Sequence, residues 1–205
     1  MIQELLYEYR RRELEKHIRQ ENVYWVTDLC RCPLKRIYEF EYPELILQEI
    51  YNPSYILGDL VHLGLEELLK QLSKEGHLNY DIDVEVENEK EINIDGKKIK
   101  VRGRADILLK GDDVLGIEIK SARGDTGMPH EHHILQCKIY SWLFDTSKFI
   151  LLYITPDRVA EYEVKERASE DDIVNLIKDT RAPRWSWECR YCRFAVLCPF
   201  KSLKS

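Results

Sequence analysis

Two alternating stretches joined by a short polar turn constrain this chain more than any other feature. Residues 98–109 read Lys-Ile-Lys-Val-Arg-Gly-Arg-Ala-Asp-Ile-Leu-Leu, and residues 114–120 read Val-Leu-Gly-Ile-Glu-Ile-Lys. A period of two makes both of them strands, with Glu118 and Lys120 on one face and Ile117 and Ile119 on the other. Gly111-Asp112-Asp113 supplies the turn, so the strands are neighbours and Asp106 comes near Glu118. Polar residues on the wet face of a hairpin are the bland account of this pattern. The other account is chemical. Two carboxylates can hold a divalent metal that polarises a phosphoryl oxygen and activates water, and a lysine beside them can place that water or offset developing charge. Such a set suits cleavage of a phosphodiester.

A helix is expected over residues 130–144, with Pro129 in its first turn and Ile134, Leu135, Ile139, Leu143 and Phe144 packing inward. Gln136 and Tyr140 stand four apart and so share a face of it. An ordinary surface pair has the same spacing. A second helix is expected over residues 53–73, capped by Asn52 with Pro53 first. Its core stripe would be Leu57, Val61, Gly64, Leu68 and Leu72, and His62 lies one residue off that stripe, with Gly58 leaving space beside it. Such a histidine can be a ligand or simply a packed, hydrogen-bonded side chain.

The chain has 205 residues and a formal net charge of −6. That length fits one domain with a substantial core, and the charge speaks against a protein coated in positive charge for nucleic acid. No apolar run approaches membrane-spanning length, no Gly-x4-Gly-Lys-Ser/Thr loop occurs, and no secretory signal is expected from the charged amphipathic N-terminus. Helices are expected over residues 2–20, 28–40 and 169–179, the last started by Ser169 with Asp172. Strands are expected near residues 80–94, 97–110, 113–121, 148–155 and 159–165, with Asp95-Gly96 as a hairpin turn. The plan is mixed α/β.

Six cysteines occur, at positions 30, 32, 137, 189, 192 and 198. Cys189, Cys192 and Cys198 form a C-x2-C-x5-C run, and their thiolates suit zinc or an iron–sulfur cluster. A reducing compartment disfavours disulfides. Around the C-terminal cysteines Arg181, Arg184, Arg190, Arg193, Lys201 and Lys204 alternate with Trp185, Trp187, Tyr191 and Phe194. Those residues can track a nucleic-acid strand or pack around the cysteines.

Taken together, the order His62, Asp106, Glu118-Ile119-Lys120, then Gln136 and Tyr140 as Q-x-x-x-Y, resembles the RecB-like branch of the PD-(D/E)xK nuclease superfamily. More closely it resembles the CRISPR-associated exonucleases that carry an iron–sulfur cluster. Ala105 stands where the superfamily name has proline. The resemblance implies a restriction-endonuclease-like central mixed sheet flanked by helices, with a helical iron–sulfur region joining both termini. It implies one domain over residues 1–205, with that region built from about 20–50 and 181–205. It implies Mn²⁺ or Mg²⁺ on His62, Asp106, Glu118 and the Ile119 carbonyl, and catalysis by Asp106, Glu118 and Lys120. Gln136 would orient Lys120 or substrate, and Tyr140 would contact DNA. Arg104 and Arg123 are further phosphate contacts.

The cluster, [4Fe–4S] in such relatives, would sit on Cys32, Cys189, Cys192 and Cys198. In such relatives the first ligand precedes proline, so the resemblance implies Cys32, before Pro33, over Cys30, and leaves Cys137 as a packed residue. The implied activity is metal-dependent hydrolysis of DNA, from single-stranded ends, in CRISPR spacer acquisition beside the spacer integrase in the cytoplasm. The helices near both termini would cover the site and form a narrow passage. A DNA-repair nuclease, or a non-catalytic assembly or redox-sensing subunit, are the alternatives.

Overall fold

The computed structural model describes residues 1–16 and 19–202. Its frame is one long antiparallel hairpin, β2 (Asp81–Ile94) with β3 (Lys97–Lys110). Asp95 and Gly96 turn it at φ 52° and 80°, the left-handed pair that a two-residue hairpin needs. The whole of one β3 edge belongs to β2. The other edge is divided. β1 (Val23–Trp25) runs parallel to Lys100–Arg102, whereas β4 (Val114–Ser121) runs antiparallel to Ile107–Lys110. Between them, residues 103–106 of β3 have no strand neighbour on that edge, so the sheet forks. Beyond β4 come β5 (Lys148–Ile154), parallel, and β6 (Val159–Val164), antiparallel. The sheet is mixed, as expected.

The parallel β4–β5 pair needs a crossover, and α5 (Glu131–Phe144) supplies it. On the face that α5 covers, Cys137, Ile139 and Leu143 pack with Val101, Ala105, Leu108, Phe149 and Leu151. On the opposite face Ile107, Leu109, Ile117 and Ile119 pack with Val61, Leu65 and Leu69 of α4 (Pro53–Lys74). The period of two holds along β4, but along β3 the odd positions change face between Ala105 and Ile107, beside Asp106 and opposite Glu85 at φ 52°. Pro129 is not in the first turn of α5. His130 is the cap, held extended while its N–H donates to the Tyr153 hydroxyl at 3.1 Å, and Pro129 precedes it.

Asn52 caps α4 as expected, its side chain accepting from the Ser54 N–H at 3.0 Å. The expected stripe is only partly right. Val61 packs, but Leu65 and Leu69 follow it, while Leu57 and Leu68 are 59% and 49% exposed. Leucines crowd this helix on several faces, so periodicity alone does not fix which face turns inward.

α1 (Ile2–Lys16) carries most of the helix expected at the N-terminus; residues 17 and 18 lie outside the described residues. The helix expected over 28–40 is two helices, α2 (Val26–Leu29) and α3 (Pro33–Glu41). The break is dictated by Pro33, because a residue before proline is driven out of the helical region, and Cys32 sits at φ −52°, ψ 125°. A 3-10 helix (Pro43–Tyr51) leads into α4. Toward the C-terminus, α6 (Glu170–Lys178) starts with the reciprocal Ser169–Asp172 cap, and a 3-10 turn spans Glu188–Tyr191.

Candidate metal centre and its cavity

The fork is where the predicted site residues gather. Gly103 lies inside it, and a Cβ there would stand 2.7 Å from both Leu143 and Tyr140; only glycine lets α5 enter the gap. Tyr140 then donates its hydroxyl proton to the Arg104 carbonyl at 2.9 Å, and Gln136 donates to the Tyr140 hydroxyl at 3.2 Å. Gln136 and Tyr140 are 6% and 4% exposed, so they are not a surface pair. Just past the gap, Asp106 Oδ2 accepts the Ile119 N–H at 2.7 Å. A side-chain carboxylate takes the place of a main-chain partner at the point where β3 and β4 part.

Asp106 Oδ1 lies 3.4 Å from His62 Nδ1. Burial opposes its ionisation, but His62, Lys120 and the Ile119 amide outweigh that and hold its pKa below the usual carboxylate value. Burial likewise opposes charge on His62, and Asp106 overcomes it and raises the imidazole pKa. Glu118 is 2% exposed and paired with Lys120. Its burial, added to the Asp106 charge, pushes its carboxyl up to about 7. Burial works against a charged Lys120 too, but Glu118 and Asp106 keep its pKa above the usual lysine value. One Glu118 oxygen, Oε2, is buried without a hydrogen-bond partner. Two buried carboxylates, one of them with an oxygen left open, beside an imidazole are a fit donor set for a hard divalent ion.

Two residues at this place were not anticipated. Glu85 of β2 faces Asp106 across the hairpin, and its own φ is +52°. Among the described residues, the trio that brings three ligand atoms within 4.8 Å of one another is His62, Glu85 and Asp106. Glu66, one helical turn beyond His62, is 5% exposed; burial, then Glu85 and Asp106, push it up to about 7. Both were within reach of the sequence. The Asp95-Gly96 turn fixes the hairpin register and puts Glu85 opposite Asp106, and Glu66 has the i+4 spacing from His62.

All of these groups line a cavity of about 1470 Å³. Its floor is the fork, with His62, Glu66 and Gly58 from α4 and Gln136 from α5. Tyr9, Arg10 and Glu13 of α1, Phe40 of α3 and Leu47 of the 3-10 helix wall it. N-terminal elements therefore cover the site, as expected, but no described residue from 181 onward lines the cavity. The basic, aromatic C-terminal stretch is divided: Arg181, Trp187, Arg190, Tyr191 and Lys201 are exposed, whereas Arg184, Trp185, Arg193 and Phe194 turn inward. Arg184 has a 5% exposed side chain that pairs with Asp179 and donates to the Arg31 and Leu176 carbonyls at 3.1 and 3.2 Å. Trp185 Nε1 donates to the Cys30 carbonyl at 2.8 Å, and Arg193 pairs with Glu49. Arg181 pairs with Asp179, and Lys204 lies outside the described residues. Arg104 pairs with Glu85 and Glu13, and Arg123 donates to Ser54 Oγ at the surface.

Cys32, Cys189, Cys192 and Cys198 line one small pocket, closed by Tyr38, Phe200 and other apolar groups. Cys30 and Cys137 are in the main core instead, where burial raises both thiol pKa values. None of the six cysteines forms a disulfide. Four thiols that line one pocket suit zinc or an iron–sulfur cluster alike. Glu188, 1% exposed, joins the two halves of the pocket. Its Oε1 accepts the Cys32 N–H at 2.8 Å, and its Oε2 accepts the Arg184 and Trp185 N–H groups at 3.1 and 3.0 Å.

No family model matches the chain. A curated relative from Saccharolobus solfataricus, the CRISPR-associated exonuclease Cas4, is 47% identical over 98% of this chain and 99% of its own length. The crystal structure of SSO0001 matches with a TM-score of 0.91 at 47% identity, covering 98% of each chain.

Proposed function

The chain belongs to the family of the CRISPR-associated exonuclease Cas4 and is a divalent-metal nuclease of that family; from that premise we propose that it hydrolyses DNA from single-stranded ends during CRISPR spacer acquisition. No helix among the described residues is long and apolar enough to cross a membrane, and the reading assigns the protein to the cytoplasm, beside the spacer integrase. It treats residues 1–205 as one nuclease domain. One observation carries the reading. His62, Asp106, Glu118 and Lys120 face one cavity at a fork in the sheet, with a buried Glu118 oxygen left open.

His62, Asp106, Glu118 and the Ile119 carbonyl are assigned as metal ligands. A divalent cation supplies Lewis-acid polarisation of the phosphoryl oxygen and a lowered pKa for water. Lys120 stays protonated between Glu118 and Asp106. It orients the attacking water and faces the negative charge that grows on the phosphate. Gln136 and Tyr140 hold the Arg104 carbonyl, and so keep the β3 edge and Asp106 in place. This role is supported by their bonds, in place of a DNA contact for Tyr140. The wall built by α1 and the 3-10 helix supports entry of a flexible single strand. A [4Fe–4S] cluster is assigned to Cys32, Cys189, Cys192 and Cys198, where it would tie the segment near residues 20–50 to that near 181–205.

Purified protein with end-labelled single- and double-stranded DNA, in Mn²⁺, Mg²⁺ or EDTA, tests the reading. Shortening of single strands that needs the cation and vanishes in Asp106→Ala is expected. Turnover in EDTA, or wild-type turnover by Asp106→Ala, refutes it.

A further inference from the structure

The cavity is poorly made to hold a polyanion by its phosphates. Among the described residues, ten carboxylates line it against six lysine and arginine side chains. That is a formal excess of four negative charges, and the divalent cation assigned above offsets two of them. Each of the six cations is already paired with a carboxylate. Phosphate contacts gain their energy from neutralisation and counterion release, and this wall has no positive charge to spare. What holds a strand here has to act on its other half, the bases.

The wall carries groups for that. Of the aromatic side chains that line the cavity, Trp25 and Tyr140 are buried, whereas Tyr9, Phe40 and Tyr55 are 38%, 42% and 40% exposed. The three come from different elements, α1, α3 and the first turn of α4. Leu47 and Leu63, both exposed, extend the same apolar wall.

Two of the rings are braced. The Arg10 guanidinium lies over the Tyr55 ring, 5.2 Å from its centroid, and is itself fixed by hydrogen bonds to both Asp59 oxygens at 2.9 and 3.0 Å. Arg36 lies 5.2 Å from the Phe40 centroid and donates to the Gln20, Glu21 and Val23 carbonyls. A cation over one face holds the ring and leaves the other face for a second partner. A ring held in this way loses little freedom when a base stacks on it. Their placement suits a strand that reaches the fork. Tyr55, Asp59, His62 and Glu66 share one face of α4 by their spacing of four, three and four, so Tyr55 lies about 10 Å along the helix from His62. Tyr9 stands close to the floor, where burial, then Glu13, Asp59 and Glu85, raise its hydroxyl pKa.

We propose that Tyr9, Phe40 and Tyr55 form a base-stacking platform in the cavity wall, and that this platform, in place of phosphate contacts, holds single-stranded DNA beside the metal centre. The proposal rests on the single-strand reading above and names what selects the single strand. A duplex keeps its bases stacked on one another and offers such rings no inner face, whereas an unpaired base of any kind has one.

Full-length protein that retains its cysteine-bound cofactor is titrated into three labelled ligands, with Ca²⁺ in place of Mn²⁺ to prevent cleavage. They are a single strand of mixed sequence, the same backbone carrying abasic residues throughout, and a blunt duplex. Fluorescence anisotropy reads the affinity. Tyr9→Ala, Phe40→Ala and Tyr55→Ala are each expected to weaken the normal single strand by about 5- to 150-fold, which is the fold-change of about 1–3 kcal/mol per stacked base. Tyr9→Phe, Phe40→Tyr and Tyr55→Phe are expected to keep it. The abasic strand and the duplex are expected to bind wild type weakly and to be indifferent to all of these substitutions. Such non-additivity between removing the ring and removing the base marks a direct contact, and a thermal melt of each variant verifies folding. Equal losses for the normal and abasic strands, or no loss for either, overturn the platform; cleavage of single strands by wild type then leaves the single-strand reading standing. Wild type that neither binds nor cuts single strands overturns both.

Discussion

Tyr140→Phe separates a brace from a substrate contact. The substitution removes one oxygen and leaves the ring against Phe144 and Phe149. What it takes away is the donor to the Arg104 carbonyl at 2.9 Å and the acceptor for Gln136 at 3.2 Å. The carbonyl faces the unpaired stretch of β3, where no strand can replace the lost bond, and Tyr140 is 4% exposed. A buried acceptor deprived of its donor costs about 1–3 kcal/mol. For a domain of this size each kcal/mol lowers Tm by about 2–4 °C, so a fall of at least about 2 °C and at most about 12 °C is expected. Thermal melts of metal-free wild type and variant, matched for cofactor content, measure it. The same loosening displaces Asp106 two residues along, so the cleavage rate falls while the affinity for single-stranded DNA stays unchanged. An unchanged Tm together with weaker DNA binding refutes the brace and restores Tyr140 as a contact to the strand.

Three other outcomes are expected. Cys32→Ala, Cys189→Ala, Cys192→Ala and Cys198→Ala should each lose visible absorbance, iron and acid-labile sulfide from anaerobic preparations, whereas Cys30→Ala and Cys137→Ala keep them; stoichiometric zinc without sulfide contradicts this. Glu118 has a folded pKa of about 7, above its ordinary 4.5, so its contribution to stability is complete below about 4.5 and is lost as pH rises through about 7. Metal-free wild type should therefore lose of order 1–3 kcal/mol relative to Glu118→Gln across that window in urea titrations, and a flat difference is evidence against it. Arg184→Ala should lower Tm by freeing the Arg31 and Leu176 carbonyls while leaving DNA affinity alone; a DNA defect without a Tm change reverses that assignment.

Strands β2 to β6 were readable because each has an alternating stretch or a diagnostic turn, whereas β1, Val23–Trp25, was missed because three residues are too few to show a period. The phase of α4 was not, since its leucines outnumber the positions that one sheet face can cover. The break before Pro33 is a local rule that the sequence states plainly, yet a run of helix formers after it hides the interruption. His62, Asp106, Glu118, Lys120, Gln136 and Tyr140 were visible as an ordered motif, and the structure brings them to one cavity. The braced role of Tyr140 was not visible, because it depends on which β3 carbonyl lacks a partner, a property of three strands at once. Glu85 needed only the hairpin register. The direction of the C-terminal arginines depended on long-range acceptors such as the Arg31 carbonyl, 153 residues away from Arg184, and no local pattern announces those.

The fork also governs the order in which activity can appear during folding. β2 and β3 are contiguous and joined by a two-residue turn, so their hairpin can form early, in microseconds, from local contacts. That hairpin has one edge bare along its whole length and therefore contains no gap. A gap exists only after two separate docking events, β1 arriving from the N-terminal side and β4 from the C-terminal side, have closed the edge around residues 103–106. The Ile119 amide that anchors Asp106 arrives with the second of them. A nascent or partly unfolded chain thus lacks the arrangement proposed to cut DNA, and on that proposal competence for cleavage is a late reporter of a finished fold.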